Sequence, residues 1–214
     1  MPRPFSDFEL QVRGWVSVNK TLFFAVVCLI AFLLVYIQQN LIVGEIAAFQ
    51  FLEGPEALIF RLISGFKLLT IPIVYALKFT IVGFILWVGC FMWGYNVTYN
   101  KCWQIAMIAE LVFFVPTFLK ILWFFFVDTD PNYWEYQSFY PLSLMSLLDY
   151  TQVRPKMLYP NQALNVFEIA YWVVLTYGVD FAARKKKAVA NYIVATSYIP
   201  LFLLWLLFYM GVYE

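Results

Sequence analysis

The chain contains no histidine. Catalysis by Ser-His or Cys-His pairs, histidine-ligated haem and histidine-built zinc sites are excluded, because each of them needs an imidazole. Cysteine is scarce as well, since the three cysteines, Cys28, Cys90 and Cys102, are scattered along the sequence. An odd and unclustered set of thiols indicates neither a disulfide framework nor a metal site. We therefore expect no cofactor and no metal, and we interpret the cysteines as small packing residues.

Charged residues are also few, at 13% of the chain, which is about half the share typical of a soluble domain. Hydrophobic residues make up 64% of the sequence and aromatic residues 21%. Such an aromatic share is typical of proteins with much surface at lipid interfaces, where Trp and Tyr rings are favoured. The formal net charge of +1 gives no indication of a nucleic-acid partner. The composition predicts an integral membrane protein in contact with the lipid bilayer.

Five apolar segments are long enough to cross the hydrocarbon core, which takes about 20 helical residues. They cover residues 21–37, 68–92, 104–127, 163–183 and 189–210. A cleaved signal peptide does not explain the first segment, because its apolar run is too long and no small-x-small cleavage site follows it. The predicted fold is therefore all-α, a polytopic transmembrane bundle of about five spans that forms one membrane domain over residues 21–214.

The orientation of these spans is predicted from the run Arg184-Lys185-Lys186-Lys187, which lies between the fourth and fifth spans. Cytoplasmic loops of membrane proteins carry an excess of Lys and Arg. With a cytoplasmic N-terminus, the inner segments hold about twice as many of these residues as the outer ones. We predict a multi-pass protein of the bacterial inner membrane, with its N-terminus in the cytoplasm and its C-terminus outside.

Residues 1–20 are predicted to form a cytoplasmic amphipathic leader. Ser6 and Glu9 fit a capping box, in which the side chain of each residue accepts a hydrogen bond from the backbone N–H of the other. An apolar stripe then recurs at helical spacing and includes Phe8, Val12, Trp15 and Val16. This helix either lies on the inner leaflet or packs on the bundle.

Two further stretches are too apolar for solvated loops and too interrupted for spans. In the first, an interfacial helix is predicted at about residues 55–66, leading into the second span. In the second, the run from Tyr140 to Leu148 predicts about two helical turns that lie at the outer leaflet or dip into it.

Five ionisable residues lie within the predicted spans, namely Lys78, Glu110, Lys120, Glu168 and Asp180. Each charge costs about 2.5–3.5 kcal/mol at the membrane centre on insertion scales, so such groups usually face a partner or a cavity. The helical rise places Lys120 and Glu168 at the same depth, and we predict that they pair. Lys78 lies deeper and is expected to share Glu168. Asp180 lies near the inner boundary, where Arg184 follows at i+4 spacing and is predicted to pair with it.

Four of these residues, Lys78, Glu110, Lys120 and Glu168, allow two interpretations. They form either a structural polar network that fixes which helices touch, or a proton- or ion-coupled path or a groove for a lipid headgroup. The structural interpretation is favoured, because transporters usually show broken helices or inverted repeats at midplane and the sequence indicates neither. Pro116 is the clearest interruption and is expected to kink the third span. Gly83, Gly89 and Gly94 are expected to allow close helix packing within the chain.

Catalysis within the membrane is not expected. Asp180 follows Gly178-Val179, which has a faint similarity to an aspartyl protease motif. That chemistry needs a second carboxylate close to the first. The remaining aspartates, however, all lie outside the predicted spans.

Several short motifs in the second half of the chain are similar to a known family. Lys101-Cys102-Trp103-Gln104-Ile105-Ala106 and the later Pro116 are like a basic-aromatic-Gln start of a span with an internal proline. The segment from Tyr140 to Leu147 is like a Pro-Leu-Ser segment, and residues 163–172 are like a Leu-x-x-Phe-x-x-x-x-Trp span. Tyr177-Gly178 and Lys187-Ala188 complete the set. Over about residues 60–210 the chain thus resembles the Yip (Ypt-interacting protein) family of five-span membrane proteins, in its bacterial form.

The resemblance implies a non-enzymatic membrane protein with a cytoplasmic N-terminus. Eukaryotic members bind small GTPases in vesicle traffic through a long cytosolic N-terminal region, whereas only about 20 residues precede the first span here, which puts small-GTPase binding in doubt. We therefore expect a membrane-organising or trafficking-type scaffold, or a subunit of a larger complex with other integral membrane proteins. The alternative is a transporter or lipid-handling component that uses the intramembrane charges.

Overall fold

The computed structural model describes residues 19–45, 55–127, 131–183 and 187–213. The predicted leader helix lies almost entirely outside these residues, as do Arg184, Lys185 and Lys186 of the predicted orientation signal. The described residues form α1 (Lys20–Leu41), α2 (Pro55–Met92), α3 (Tyr99–Ala109), α4 (Leu111–Phe126), α5 (Tyr133–Ser138), α6 (Pro155–Ala163), α7 (Val166–Ala183) and α8 (Lys187–Val212). Short 3-10 helices lie at Val43–Glu45 and Leu144–Leu147.

Within the described residues, five helical stretches are long and apolar enough to cross a membrane, which confirms the predicted all-α transmembrane bundle. They are Lys20–Asn40, Gly65–Met92, Tyr99–Phe126, Val166–Ala183 and Val189–Val212. The third stretch consists of α3 and α4 together, separated only by Glu110.

Helix α2 is the longest element and the centre of the bundle, with α1, α3 and α8 packed against it. Its 38 residues run without a break from Pro55 into the second span, so the helix predicted at residues 55–66 is present and continuous with that span. Side chains of α2, α3, α7 and α8 form the main core, which includes Phe79, Leu86, Met107, Tyr171, Leu175 and Ile193.

Two glycines of α2 allow neighbouring helices to approach closely. A Cβ atom at Gly83 would lie 3.0 Å from the Cα atom of Trp103 on α3, and one at Gly89 would lie 2.7 Å from the Ser197 hydroxyl on α8. The predicted role in packing within the chain is thus confirmed for both. Gly94 differs, because it has a φ of +69° and open space around it. Its left-handed backbone serves the turn after α2.

One end of the bundle is covered by α5, α6 and the 3-10 helix Leu144–Leu147. The prediction of about two helical turns between Tyr140 and Leu148 was wrong, because a turn at Pro141-Leu142 precedes a single 3-10 helix. Leu142 has a φ of +54°, and the adjacent Ser143 forms an isolated antiparallel bridge with Asn165. Pairing with the residues before α7 therefore replaces the helical hydrogen bonds at this point.

Candidate intramembrane polar site

A lysine of the second span and a glutamate of the third span form an ion pair inside the bundle. The Nζ atom of Lys78 on α2 lies 2.7 Å from Oε1 of Glu110, between α3 and α4. The Lys78 side chain is 39% exposed, whereas that of Glu110 is only 3% exposed. The ammonium group also lies 4.5 Å from the centre of the Phe113 ring. Lys78 thus forms its ion pair with a buried carboxylate on a neighbouring span, and its charge reaches Glu168, the predicted partner, only from a greater distance.

Glu110 occupies the interruption of the third span. Its backbone remains in the helical region, with φ −57° and ψ −28°, and its carbonyl accepts from the N–H of Phe113 at 2.9 Å. This hydrogen bond joins residues i and i+3, as in a 3-10 helix, whereas an α-helical bond joins residues i and i+4. The helix of the third span is therefore more tightly wound at this point, but it does not unwind. The sequence predicted the interruption at Pro116, but this residue lies buried inside α4, more than one turn after Glu110. A discontinuity is therefore present in the third span, at the position of the buried carboxylate.

The second buried carboxylate, Glu168, lies in the first turn of α7. Its Oε1 atom accepts from the indole N–H of Trp172 at 2.8 Å and from the hydroxyl of Tyr198 at 3.2 Å, and Tyr198 belongs to α8. The backbone N–H of Glu168 donates to Oδ1 of Asn165 at 2.8 Å. Both side-chain donors are neutral, and the positive charge of Lys78 also favours this carboxylate from a distance. Glu168 consequently links α7 to α8.

Tyr171 lies between these two carboxylates in the packing of the core. Its fully buried ring lies 4.9 Å from the ring of Phe113 and 5.5 Å from that of Tyr198, measured between centres. Among the described residues, neither its hydroxyl nor Oε2 of Glu110 has a hydrogen-bond partner. Buried polar atoms without partners are uncommon, because each costs free energy. Their occurrence together makes the vicinity of Glu110 and Tyr171 the polar centre of the bundle.

Lys120 does not pair with Glu168, so that prediction was wrong. Its Nζ atom donates to the carbonyls of Tyr136 at 2.6 Å and Phe139 at 2.9 Å, and it lies 4.2 Å from the centre of the Tyr136 ring. The last carbonyls of a helix lack intrahelical partners and carry the negative end of its dipole. Lys120 of α4 therefore binds the C-terminal end of α5 and secures it to the span.

Asp180 is buried on α7, three turns beyond Glu168. Its predicted partner, Arg184, lies outside the described residues, so this pairing stays a prediction. Among the described residues, no group of three or more His, Cys, Asp or Glu side chains is placed to hold a metal ion.

The polar site includes aromatic residues that the sequence argument missed. Tyr171, Trp172 and Tyr198 are neutral, so a search for charges inside spans does not find them. A usable signal existed for two of them, because Tyr171 and Trp172 follow Glu168 at i+3 and i+4 and thus share its helix face. Nothing in the sequence indicates that Tyr198 on α8 meets the same carboxylate.

Comparison with protein-family models gives no match. No curated protein matches the chain, and no solved structure matches its fold. The similarity to the Yip family therefore rests on the sequence motifs and stays a prediction.

Proposed function

We propose that this protein is a non-catalytic, multi-pass scaffold of the membrane or a subunit of a larger membrane complex. The observation that supports this most strongly is that its intramembrane charges are used to join helices. Lys78 pairs with Glu110, Glu168 accepts from α8, and Lys120 binds α5. These contacts hold the bundle together and leave an apolar outer surface for lipids or other transmembrane helices.

The proposed setting is a bacterial inner membrane with the N-terminus in the cytoplasm. The excess of Lys and Arg on the inner segments supports this orientation. A reporter that is active only in the cytoplasm, fused after Glu214, is expected to be inactive, and the same reporter fused before Met1 to be active. The reverse result would reject the orientation without affecting the scaffold proposal.

The scaffold proposal is tested by affinity purification in a mild detergent, followed by mass spectrometry of the recovered proteins. Recovery of the same integral membrane proteins in fixed stoichiometry is expected. Leu69 and Phe91 are large exposed apolar residues of the outer surface. If Leu69→Lys or Phe91→Lys loses those partners, and substitutions at the exposed Asp149 keep them, the apolar outer surface is the contact. A protein that is recovered alone from a membrane extract would contradict the proposal.

A transporter or lipid-handling component is the second candidate. It is favoured by the helix discontinuity at Glu110, and by Oε2 of Glu110 and the Tyr171 hydroxyl, which are buried without a hydrogen-bond partner in the described part of the chain. The two candidates differ in their response to Lys78→Met combined with Glu110→Leu. A scaffold keeps its partners when this pair is replaced by apolar side chains, because the bundle stays packed. A transporter or lipid handler that uses these charges loses its activity in the same folded variant.

A further inference from the structure

Four exposed leucines lie on the segment that connects the third and fourth spans. This leucine patch consists of Leu142, Leu144, Leu147 and Leu148, whose side chains are 45% to 81% exposed. The segment belongs to neither span, since it follows the end of α4 at Phe126 and precedes the start of α7 at Val166. Exposed apolar residues on the spans face lipid as a matter of course, whereas a group of them outside the spans indicates a binding surface.

The other residues of this segment are arranged as they would be in hydrocarbon. Ser143 and Met145, which alternate with the leucines, are buried. The hydroxyl of Ser143 donates to the Tyr140 carbonyl at 2.7 Å, and that of Ser146 donates to the Ser143 carbonyl at 2.6 Å. The backbone N–H groups of Ser146 and Leu148 also donate to carbonyls within the segment. The segment thus satisfies these polar groups internally and presents leucines outward, as a lipid environment requires.

Two backbone hydrogen bonds fix the height of the leucine patch relative to the fourth span. The N–H of Leu144 donates to the Leu164 carbonyl at 3.0 Å, and the N–H of Val166 donates to the Leu142 carbonyl at 3.1 Å. Val166 is the first residue of α7, whose 18 residues are about 27 Å long and therefore match a hydrocarbon core of about 30 Å. The start of α7 lies at the boundary of that core, so the leucine patch lies at the boundary as well.

Charged residues limit how deeply the patch can enter the membrane. Asp149 follows Leu148 directly, is exposed, and accepts hydrogen bonds from Thr151 and Gln152. Arg154 is exposed a few residues further on. Because charged groups remain in water or among headgroups, the leucines reach the upper part of the acyl chains, which is the depth of an interfacial element.

We propose that the leucine patch inserts into the acyl chains of the leaflet on its side of the bundle, and so anchors the covering formed by α5, α6 and the 3-10 helix. The partner is hydrocarbon rather than a particular headgroup, because leucine side chains offer no hydrogen bond. The sequence left open whether this run lies at the leaflet or dips into it. The exposure and the height of the leucines support insertion. This anchor goes beyond the proposed scaffold function, which uses the spans.

The first experiment measures the surroundings of position 147 with an environment-sensitive fluorophore attached to Leu147→Cys in vesicles. The quenchers are bromine atoms on the acyl chains of the phospholipid and, separately, iodide present on both sides of the membrane. Gln152→Cys is the matched control, because Gln152 is an exposed residue of the same connection. The chain without an added cysteine gives the background from Cys28, since Cys90 and Cys102 are buried.

Brominated lipid is expected to quench the fluorophore at position 147 more strongly than at position 152, and iodide is expected to show the reverse order. Equal quenching of both positions by iodide would overturn the proposal. Protection of position 147 from both quenchers would overturn it as well. If dilution with lipid removes that protection, the patch contacts a second copy of the chain, and if it does not, the contact lies within the chain.

The second experiment measures hydrogen–deuterium exchange of residues 142–148 in vesicles. Leu147→Asp should release the patch and raise exchange at least about tenfold, because transfer of a leucine side chain into hydrocarbon is favoured by a factor of about 10–100. Leu147→Met keeps an apolar side chain of similar volume and should leave exchange unchanged. Residues 133–138 serve as the internal control, because Lys120 holds α5 in every variant. Unchanged exchange of residues 142–148 in Leu147→Asp would overturn the proposal.

Discussion

The ammonium group of Lys78 and the carboxylate of Glu110 lie 2.7 Å apart across two spans, and the other carboxylate oxygen of Glu110 has no partner among the described residues. The pair therefore joins α2 to the third span at the interruption that separates α3 from α4. Its contribution depends on both members, because either one alone leaves a charge in a low-dielectric interior.

Lys78→Met is expected to destabilise the protein more than the double variant Lys78→Met/Glu110→Leu. The single change leaves the carboxylate of Glu110 buried without its cation, which costs about 3–5 kcal/mol in buried pairs. The double change removes both charges and is expected to recover most of that loss. The free energy of unfolding in a denaturing-detergent titration measures both variants. Equal destabilisation by the single and double variants would show that the ion pair does not join these spans.

Gly83→Ala is expected to destabilise the bundle by about 1–3 kcal/mol, the usual cost of overpacking. The added Cβ atom would lie 3.0 Å from the Cα atom of Trp103, which is backbone and cannot move aside. Gly65→Ala is the matched control in the same helix, because a Cβ there meets nothing within 4 Å. The control should leave stability unchanged or raise it slightly, since alanine is the better helix former. Thermal unfolding in detergent distinguishes the two, and a tolerated Gly83→Ala would argue against the close contact of α2 with α3.

Lys120→Met is expected to loosen α5 without unfolding the bundle. The lysine supplies two hydrogen bonds to carbonyls at the end of that short helix, and bonds to charged groups contribute about 1.5–3 kcal/mol. Hydrogen–deuterium exchange of residues 133–139 should become faster by the corresponding factor. Lys67→Met serves as the control, because Lys67 is an exposed lysine whose charge acts on Lys120, and its replacement leaves both hydrogen bonds of Lys120 in place. Unchanged exchange in Lys120→Met would contradict the capping role.

The turn at Asp149 is expected to respond to acid. Hydrogen bonds from the Thr151 hydroxyl and backbone N–H, and from the side-chain amide of Gln152, hold the pKa of the Asp149 carboxyl below its usual value. Because the folded pKa is depressed, the stabilising contribution is present above the unfolded value of about 3.9 and is lost as the pH falls through the folded value. An NMR titration of the Thr151 amide should report a midpoint below about 3.9. Thr151→Val should move this midpoint upward, and a midpoint that does not move would reject the assignment.

The five spans were predictable because each is a continuous apolar run whose length matches the bilayer. The partners of the charges inside them were not. The helical rise gives the depth of Lys120 and Glu168 but not the direction in which each side chain leaves its helix. The partner that Lys120 binds instead of Glu168 lies in a segment with a weak sequence pattern. The carbonyls at the end of α5 reach Lys120 only after α5 has folded back on α4. A short helix of six residues has too few positions to show a period.

The segment at Leu142 illustrates a different limit. Apolar residues in the run to Leu148 have a spacing that suits a helix, yet Leu142 adopts a positive φ and Ser143 pairs with Asn165. A leucine is rarely found in this backbone region, so no local preference predicts it. The surrounding contacts impose it, because the N–H of Val166 donates to the Leu142 carbonyl at the start of α7.

The length of α2 gives the bundle a sensitivity to the thickness of its membrane. The apolar stretch Gly65–Met92 has 28 residues and is about 42 Å long, whereas α7 with its 18 residues is about 27 Å long. In a core of about 30 Å, α7 fits upright, but α2 fits only when tilted by about 45°, beyond the usual range of tilt. A thicker bilayer relieves this hydrophobic mismatch for α2 and creates one for α7. The two helices therefore favour opposite changes in bilayer thickness, and a change in thickness acts on this protein through the tilt of α2.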